Sequence, residues 1–459
     1  MKRKISLLMS IVIVMLIPLS GCKRAVSGGS VIEYESTYTI SGDNSGNNTT
    51  GTQTGTQTSP DGDTQGGSTN TEVNNIPSKL KNPKISFISW YDPGFTDSTL
   101  PIYRAKKRYE ELYGKNTINV IITSSADGYK EKLVALLSGN DAPEIVQVKT
   151  DWMPSYAIEN ILQPVDGKID YKKLPYQGLV NAMTWNGKHY VGNPNGVWSQ
   201  VIWYNKTLFE TYGEKTPMEY YKEGTWTWDN FLKAARNMTS DGVWGFSTRD
   251  LNMLVRSQST NFVKQNSDGS MDITWKSAEV VNALQLTSDM IHKYKCWNPD
   301  LTYSTLNFKK GKVAMSSGVI GFIQNFCAGM SDEIDLAPLP KPTANSEHYS
   351  ASYGIFYGIG AGCDNIEGAV AFLKLLAEEE AKSAGERTPL ERNLNDEQLK
   401  IVHNLANNAG ILVDLSLPSW YPSEEYKFWK ELSTKNTPVA TLLDSYQPVL
   451  QKAINELLK

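Results

Sequence analysis

Histidine and cysteine are scarce in this chain of 459 residues, with four of each. Four widely scattered histidines assemble no metal-ligand spacing, and four cysteines in this length build no disulfide framework. Gly-x-Ser-x-Gly is absent. Gly354 to Gly362 is glycine-rich but lacks the Lys-Ser/Thr ending of a phosphate-binding loop. No pair of carboxylates is set apart by spacing, so glycosidase chemistry is neither marked nor excluded by the count of acids. Neither a cofactor nor a metal is expected. Basic excess is missing as well. The net charge is −4, and Lys2, Arg3 and Lys4 would be lost with the leader described below. A nucleic-acid partner would want a basic face, so none is expected. No internal repeat at a fixed period is visible.

What is present begins with the apolar run Ile5 to Leu19, behind Lys2, Arg3 and Lys4. It is too short and too abruptly ended for a membrane span. Its end, Leu19-Ser20-Gly21-Cys22, resembles a bacterial lipoprotein signal, with small residues before a cysteine that becomes acylated. The alternative is an ordinary secretory peptide with a chance cysteine. The resemblance implies a signal peptide over 1–21 and a membrane anchor on Cys22, where two or more acyl chains are needed for stable attachment. Residues 22–82 read as a linker. Ser41 to Asn75 has Val73 as its single apolar aliphatic residue and no aromatics, and no Lys or Arg occurs between Arg24 and Lys79. Such composition cannot offset ordering entropy. A chain of this length has a root-mean-square span on the order of 30–40 Å.

A folded body is expected from about Pro83. Lys84 to Trp90 and Ile118 to Thr123 read as strands and Asp141 to Val148 as a turn feeding a third, separated by helices over Tyr103–Tyr113 and Tyr129–Leu137. A short helix follows from Trp152 to Ile161. Strand, helix, strand, helix, strand is the pattern of a parallel α/β sheet. Asn186-Gly187 is a hairpin signal, since both residues tolerate positive φ. Asn193-Pro194-Asn195-Gly196 reads as a break, Val197 to Tyr204 as a strand, and a helix restarts at Asn205 or soon after. Further helices are expected after the Thr227 N-cap, over Ser277–Tyr294, Gly368–Ala384 and Tyr426–Leu432, and from Val439 to Leu458. Strands are expected at Val243–Phe246, Val313–Met315, Asp335–Pro340 and Tyr353–Ile359.

Five of these segments resemble, in order, the family 1 extracellular solute-binding proteins of bacterial ABC importers, the maltose-binding-protein-like group. They are Asp141-Ala142-Pro143-Glu144-Ile145, the stretch from Asn186-Gly187-Lys188 to Tyr204-Asn205-Lys206, Thr227-Trp228-Asp229, Phe308 to Met315, and Leu336 to Pro340. Asn193 departs from the aromatic or leucine that the family often places before the proline. The resemblance spans about residue 83 to the end. It implies an α/β, two-lobed periplasmic-binding-protein fold (type II-like) with hinge crossovers and a ligand cleft. Lobe 1 would comprise 83–197 and about 349–412, and lobe 2 about 198–348 and 413–459. The implied protein is not an enzyme. It is a monomer, anchored outside the cytoplasmic membrane, that delivers a carbohydrate to permease subunits.

A sugar offers flat C–H faces ringed by hydroxyls, so aromatics beside Asp, Asn, Gln or Arg at strand ends are the candidates. Trp90 and Asp92 end the first strand, with a core-capping Trp90 as the competing reading. Asp151 and Trp152 follow the third strand, where the resemblance implies ligand contacts and core packing is the competing reading. Trp198 lies in the crossover, where the resemblance implies a cleft-facing position and core packing again competes. Asp250 and Asn252 follow a later strand, and Phe322, Tyr353 and Trp420 complete the set. Tyr204 and Asn205 are read as structural, and Trp226, Trp228, Trp244, Trp275 and Trp297 as packing. Cys296, Cys327 and Cys363 cannot be paired from sequence. The competing function is a surface polysaccharide-acting enzyme or adhesion lipoprotein built on the same aromatics.

Overall fold

The computed structural model describes residues 75–459, apart from 124–125, 241, 259, 261, 267–270, 301–303, 322–326, 384, 389–390, 409–422 and 459. The expected leader, Cys22, most of the expected linker, Phe322 and Trp420 lie outside the described residues.

Ile85–Ser89 (β1) is a largely buried run. Helix Pro101–Tyr113 (α1) follows; Pro101 starts it, where a missing N–H costs nothing, and Gly114 at φ 116° ends it by donating to the Glu110 carbonyl. Ile118–Ile122 (β2), Ala126–Ser138 (α2) and Ile145–Lys149 (β3) come next. The three strands pair in parallel, with Phe87 facing Val120 on one side and Ile145 on the other. Met153–Ile158 (α3), Leu162–Gln163 (β4) and Gln177–Ala182 (α4) lead to a hairpin of Thr184–Trp185 (β5) and Lys188–His189 (β6). Asn186 and Gly187 hold φ at 48° and 68°, the doubly positive pair that their sequence signals.

Val191–Asn205 (β7) ends on its own helix cap. Asn205 Oδ1 accepts from the Leu208 N–H at 3.0 Å, and Lys206–Tyr212 (α5) closes on Gly213. Thr216 and Glu219 form a reciprocal capping box at Pro217–Lys222 (α6). Thr227 caps Trp228–Asn237 (α7), as expected. Trp244–Phe246 (β8), Met253–Arg256 (α8), Val263–Gln265 (β9) and Met271–Ile273 (β10) follow. Ala278–Ser288 (α9) passes into a π-helical turn over Asp289–Lys293 instead of running on as one regular helix to Tyr294. The rest comprises Ser304–Lys309 (α10), Val313–Val319 (β11), Ile334–Pro338 (β12), Ser352–Gly360 (β13), Ile366–Lys382 (α11), Asp396–Asn407 (α12), Ser423–Thr434 (α13) and Val439–Leu457 (α14).

The main sheet runs β2-β1-β3-β13-β7-β11-β8, with β12 also on β7 and β4 on β13. The parallel expectation holds for the first three strands, whereas β13 enters antiparallel to both β3 and β7. Two half-sheets share β7. Its Val191–Ser199 part pairs with β13, and its Gln200–Asn205 part with β11 and β12. The break expected at Asn193-Pro194-Asn195-Gly196 does not interrupt the strand. The register slips instead: Gly196 faces Ile355, Pro194 faces Phe356, and Val191 faces Gly358. Each slip leaves one extra residue on β7, a bulge of the kind that tolerates a proline without an N–H. Where β7 changes partners, the Gln200 N–H donates to the Ala351 carbonyl at 2.8 Å and the Ser199 and Ser352 hydroxyls lie 2.9 Å apart.

Trp203, Trp226, Trp275 and Trp297 are fully buried, and Tyr204 is buried with its hydroxyl donating to Asp335 Oδ2 at 2.8 Å. Cys296, Cys327 and Cys363 are buried free thiols, pushed up to about 12, about 11 and about 11 by desolvation. Among the described residues no helix is long and apolar enough to cross a membrane.

Two adjacent acids on α11 show how partners decide charge. Burial would raise Glu379, but Lys382 at 2.7 Å and Arg108 at 2.6 Å hold it below the usual carboxylate value. Glu380 keeps part of its surface exposed, yet its carboxyl is enclosed, and desolvation pushes it up to about 8 against the opposing Asn193 amide donor from β7. A raised folded-state pKa gives stability that is complete below the ordinary value of 4.5 and falls as pH rises to about 8. Glu380→Gln is expected to remove this slope, so urea midpoints of the variant should exceed the parent's at about pH 9 and match them more closely at about pH 5. A steric prediction concerns Gly245. A Cβ there would stand 1.8 Å from the Ala235 carbonyl oxygen of α7. Gly245→Ala should cost about 3 kcal/mol in urea unfolding.

Candidate functional site

Aromatic residues gather beyond β1 and β3. Trp90 follows β1 and is 7% exposed, whereas Trp152, just before α3, is half-buried. Their ring centroids lie 5.0 Å apart. Trp152 stacks on the buried Tyr129 of α2 at 5.7 Å and 26°, and Trp90 meets Tyr129 edge-on at 5.2 Å. Trp90 and Tyr129 thus form the floor of a shelf, and Trp152 its more accessible ring. Lys149, the last residue of β3, holds its Nζ 4.7 Å from the Trp152 centroid and 5.4 Å from that of Trp90, within cation–π range. Asp151 is half-buried. Its charge, with that of Glu159, adds to the burial that raises the Tyr156 phenol. Asp92 is tied to its own loop: Oδ1 accepts from the Gly94 and Phe95 N–H groups at 3.0 and 2.8 Å, and Oδ2 from the Thr96 hydroxyl at 2.7 Å.

A polar network forms where β7 changes partners. Arg256, 8% exposed at the end of α8, donates through Nη1 to Asp250 Oδ2 at 2.9 Å and to the Tyr353 hydroxyl at 2.6 Å. Gln200 of β7 donates through Nε2 to Asp250 and to Ser317 Oγ of β11, the latter at 2.7 Å. The buried Asn252 amide, turned so that its oxygen accepts from Arg256 Nη2 at 3.0 Å, donates to Asp250 Oδ1. Trp198 is half-buried, faces Tyr353 across the β7–β13 pair, and shares a strand face with Gln200. Gly196 leaves room for its indole, which would stand 3.3 Å from a Cβ there.

Thr150 joins shelf to network. Its N–H and hydroxyl each lie 3.0 Å from the Gly354 carbonyl, and the Gly354 N–H donates back to Thr150 Oγ1 at 2.6 Å. Lys149 and Tyr353 are the chain neighbours of this pair. The expected Trp90, Asp151, Trp152, Trp198, Asp250, Asn252 and Tyr353 therefore fall into two linked groups, while Asp92 fixes a loop. Sequence reading passed over Arg256, Gln200, Ser317, Lys149 and Tyr129. Arg256 had a signal, as a charge closing the apolar run Met253-Leu254-Val255, and Gln200 shares parity with Trp198. Nothing local marks Tyr129, whose place beneath Trp152 is a tertiary contact. A surface pocket of about 310 Å³ beside the Asn186-Gly187 hairpin, reached by Ala157, Trp185, Lys188 and Leu458, shares none of these residues.

Parallel strands that present aromatic and polar groups beyond their ends, with one long strand shared by two half-sheets, define a mixed α/β periplasmic-binding-protein fold. Residues 93–383 match the family of bacterial extracellular solute-binding proteins, and the chain belongs to that family. It is a family of binding proteins, not of enzymes. An uncharacterized ABC transporter extracellular-binding protein of Pyrococcus horikoshii is 29% identical over 153 residues, which cover 32% of this chain and 33% of that one. The match thus spans about a third of the relative's length. A cyclo/maltodextrin-binding protein complexed with maltotetraose is similar in structure, with a TM-score of 0.64 and 18% identity over 82% of this chain and 99% of its own. UgpB of Mycobacterium tuberculosis, in complex with glycerophosphocholine, has a TM-score of 0.61 and 17% identity over 82% and 99%. At these identities the likeness is one of fold.

Removing Arg256 would leave Asp250, whose side chain is 29% exposed, without its cation. Arg256→Met should cost about 2 kcal/mol, less than breaking a fully buried pair because the carboxylate left behind still reaches water. Arg256→Met combined with Asp250→Asn should recover part of that loss in the same urea titration.

Proposed function

We propose that this protein is the substrate-binding component of an ABC importer and that it captures an oligosaccharide between its two half-sheets. The observation that carries this reading is the Thr150–Gly354 link, which sets the Trp90–Trp152 shelf beside the Tyr353–Arg256–Asp250–Gln200 network. Ring faces suit the C–H faces of a pyranose, and the network offers charge-assisted donors and acceptors to its hydroxyls. Family membership and a structural neighbour complexed with maltotetraose support the same reading. In this proposal the lobes are 83–197 with about 349–412, and about 198–348 with 413–459. The pivot lies at Ser199–Val201, beside Ser350–Ser352. Closure follows from ligand contacts made with both lobes at once. Acylated Cys22 and the linker tether the body outside the membrane, where permease subunits receive the sugar.

Isothermal titration and tryptophan fluorescence with neutral oligosaccharides, and with glycerophosphodiesters as a comparison class, test the reading. Saturable carbohydrate binding with no new product by chromatography supports it. Released product supports the polysaccharide-acting rival, and binding of the phosphodiesters alone replaces the sugar. Trp152→Ala should weaken carbohydrate affinity at least about tenfold, an ordinary loss for a stacked aromatic anchor, with little change in the unliganded melting temperature. A large drop in that temperature would assign Trp152 to the core instead.

A further inference from the structure

Arg256 and Lys149, two cations at the candidate site, are matched differently. Arg256 is neutralised by Asp250 at 2.9 Å. Lys149 is not: among the described residues it is paired with ring faces and not with a carboxylate, its Nζ resting 4.7 Å and 5.4 Å from the Trp152 and Trp90 centroids. A ring face attracts the ammonium but accepts no conventional N–H hydrogen bond, so the three donors of a lysine remain for another group. The side chain is half-buried at the end of β3, where a cation is less well hydrated and gains more from an anion than it would in water. The backbone neighbour, Thr150, is bound to Gly354, which places Lys149 beside the same ligand that would reach Tyr353 and Arg256.

Resting on the carbohydrate reading, we propose that Lys149 is a specificity-determining residue and that the ligand is an acidic oligosaccharide, a sugar chain bearing a uronate carboxylate. The pyranose ring covers the Trp152 face while its carboxylate accepts from Lys149 Nζ, which moves from the ring face to the anion. Arg256, already balanced by Asp250, serves hydroxyl groups of the same ligand and adds no net charge to the site.

The test compares uronate oligosaccharides (oligogalacturonates and glucuronate-bearing xylo-oligosaccharides) with neutral galacto- and xylo-oligosaccharides of equal length. Titration calorimetry is run on the parent protein, Lys149→Met and Lys149→Arg. The parent should bind a uronate ligand at least about tenfold more tightly than its neutral counterpart, a typical value for a charge-assisted contact. The ratio should fall to about one in Lys149→Met, stay high in Lys149→Arg, and shrink with added salt as screening grows. Thermal melts establish that each variant is folded. Neutral ligands binding as tightly as uronates in the parent, or an unchanged ratio in Lys149→Met, would overturn the inference and leave the carbohydrate reading standing. Binding of neither class to the folded parent would overturn both.

Discussion

One strand carries two sheets. From Val191 to Ser199, β7 satisfies its backbone against β13, and from Gln200 onward against β11 and β12. Every backbone donor and acceptor buried in a sheet needs a partner, so the change of partners is confined to a few residues around Ser199 and Gln200. The returning chain at Ser350–Ser352 is drawn alongside at the same point, because its carbonyls and hydroxyls complete the bonding there. The candidate site follows from this constraint. Trp198 and Gln200 flank the switch on one face of β7, Tyr353 lies across from Trp198 on β13, and Ser317 sits on β11. Residues far apart in the chain converge because a single strand must be shared.

The two groups at the site work by different physics. The Trp90, Trp152 and Tyr129 rings offer area and polarisable faces, at little conformational cost because each ring is braced by the next. In the Arg256–Asp250 pair the guanidinium is buried while the carboxylate keeps partial access to water. Desolvating two charges is expensive, and their attraction repays it only with further hydrogen bonds in good geometry. Tyr353, Gln200 and Asn252 supply those bonds. A network of this sort adds little net stability compared with apolar packing. Its value lies in orientation, since it holds a tyrosine hydroxyl and an amide at set positions beside the shelf.

Turn and cap chemistry was legible along the chain because it is local. Asn186-Gly187 demands two positive φ values wherever it occurs, and Asn205 and Thr227 cap the helices that follow them with their own side chains. The parallel βαβ start could be read from alternating periods. The bulges of β7 could not: a proline and a glycine signal irregularity, but whether the chain breaks or slips depends on β13, which lies more than a hundred residues away. Asp92 shows the same limit at the site. An acid after an aromatic strand end suits a ligand contact, yet the N–H groups of Gly94 and Phe95 reach it first.

The class of fold, the order of its main elements and the family were legible along the chain, because periodicity, caps and short motifs are properties of neighbours; the same patterns marked aromatic and polar candidates without saying how they come together. Tertiary structure alone decided which of them meet. Burial turned Trp90 into a floor and left Trp152 as the more exposed ring. Strand register set Trp198 against Tyr353, and the return of the chain brought the Tyr353 hydroxyl to Arg256, which already pairs locally with Asp250. Such pairings depend on contacts between segments distant in sequence, whose closeness is set by the packing of the whole sheet and is carried by no local pattern.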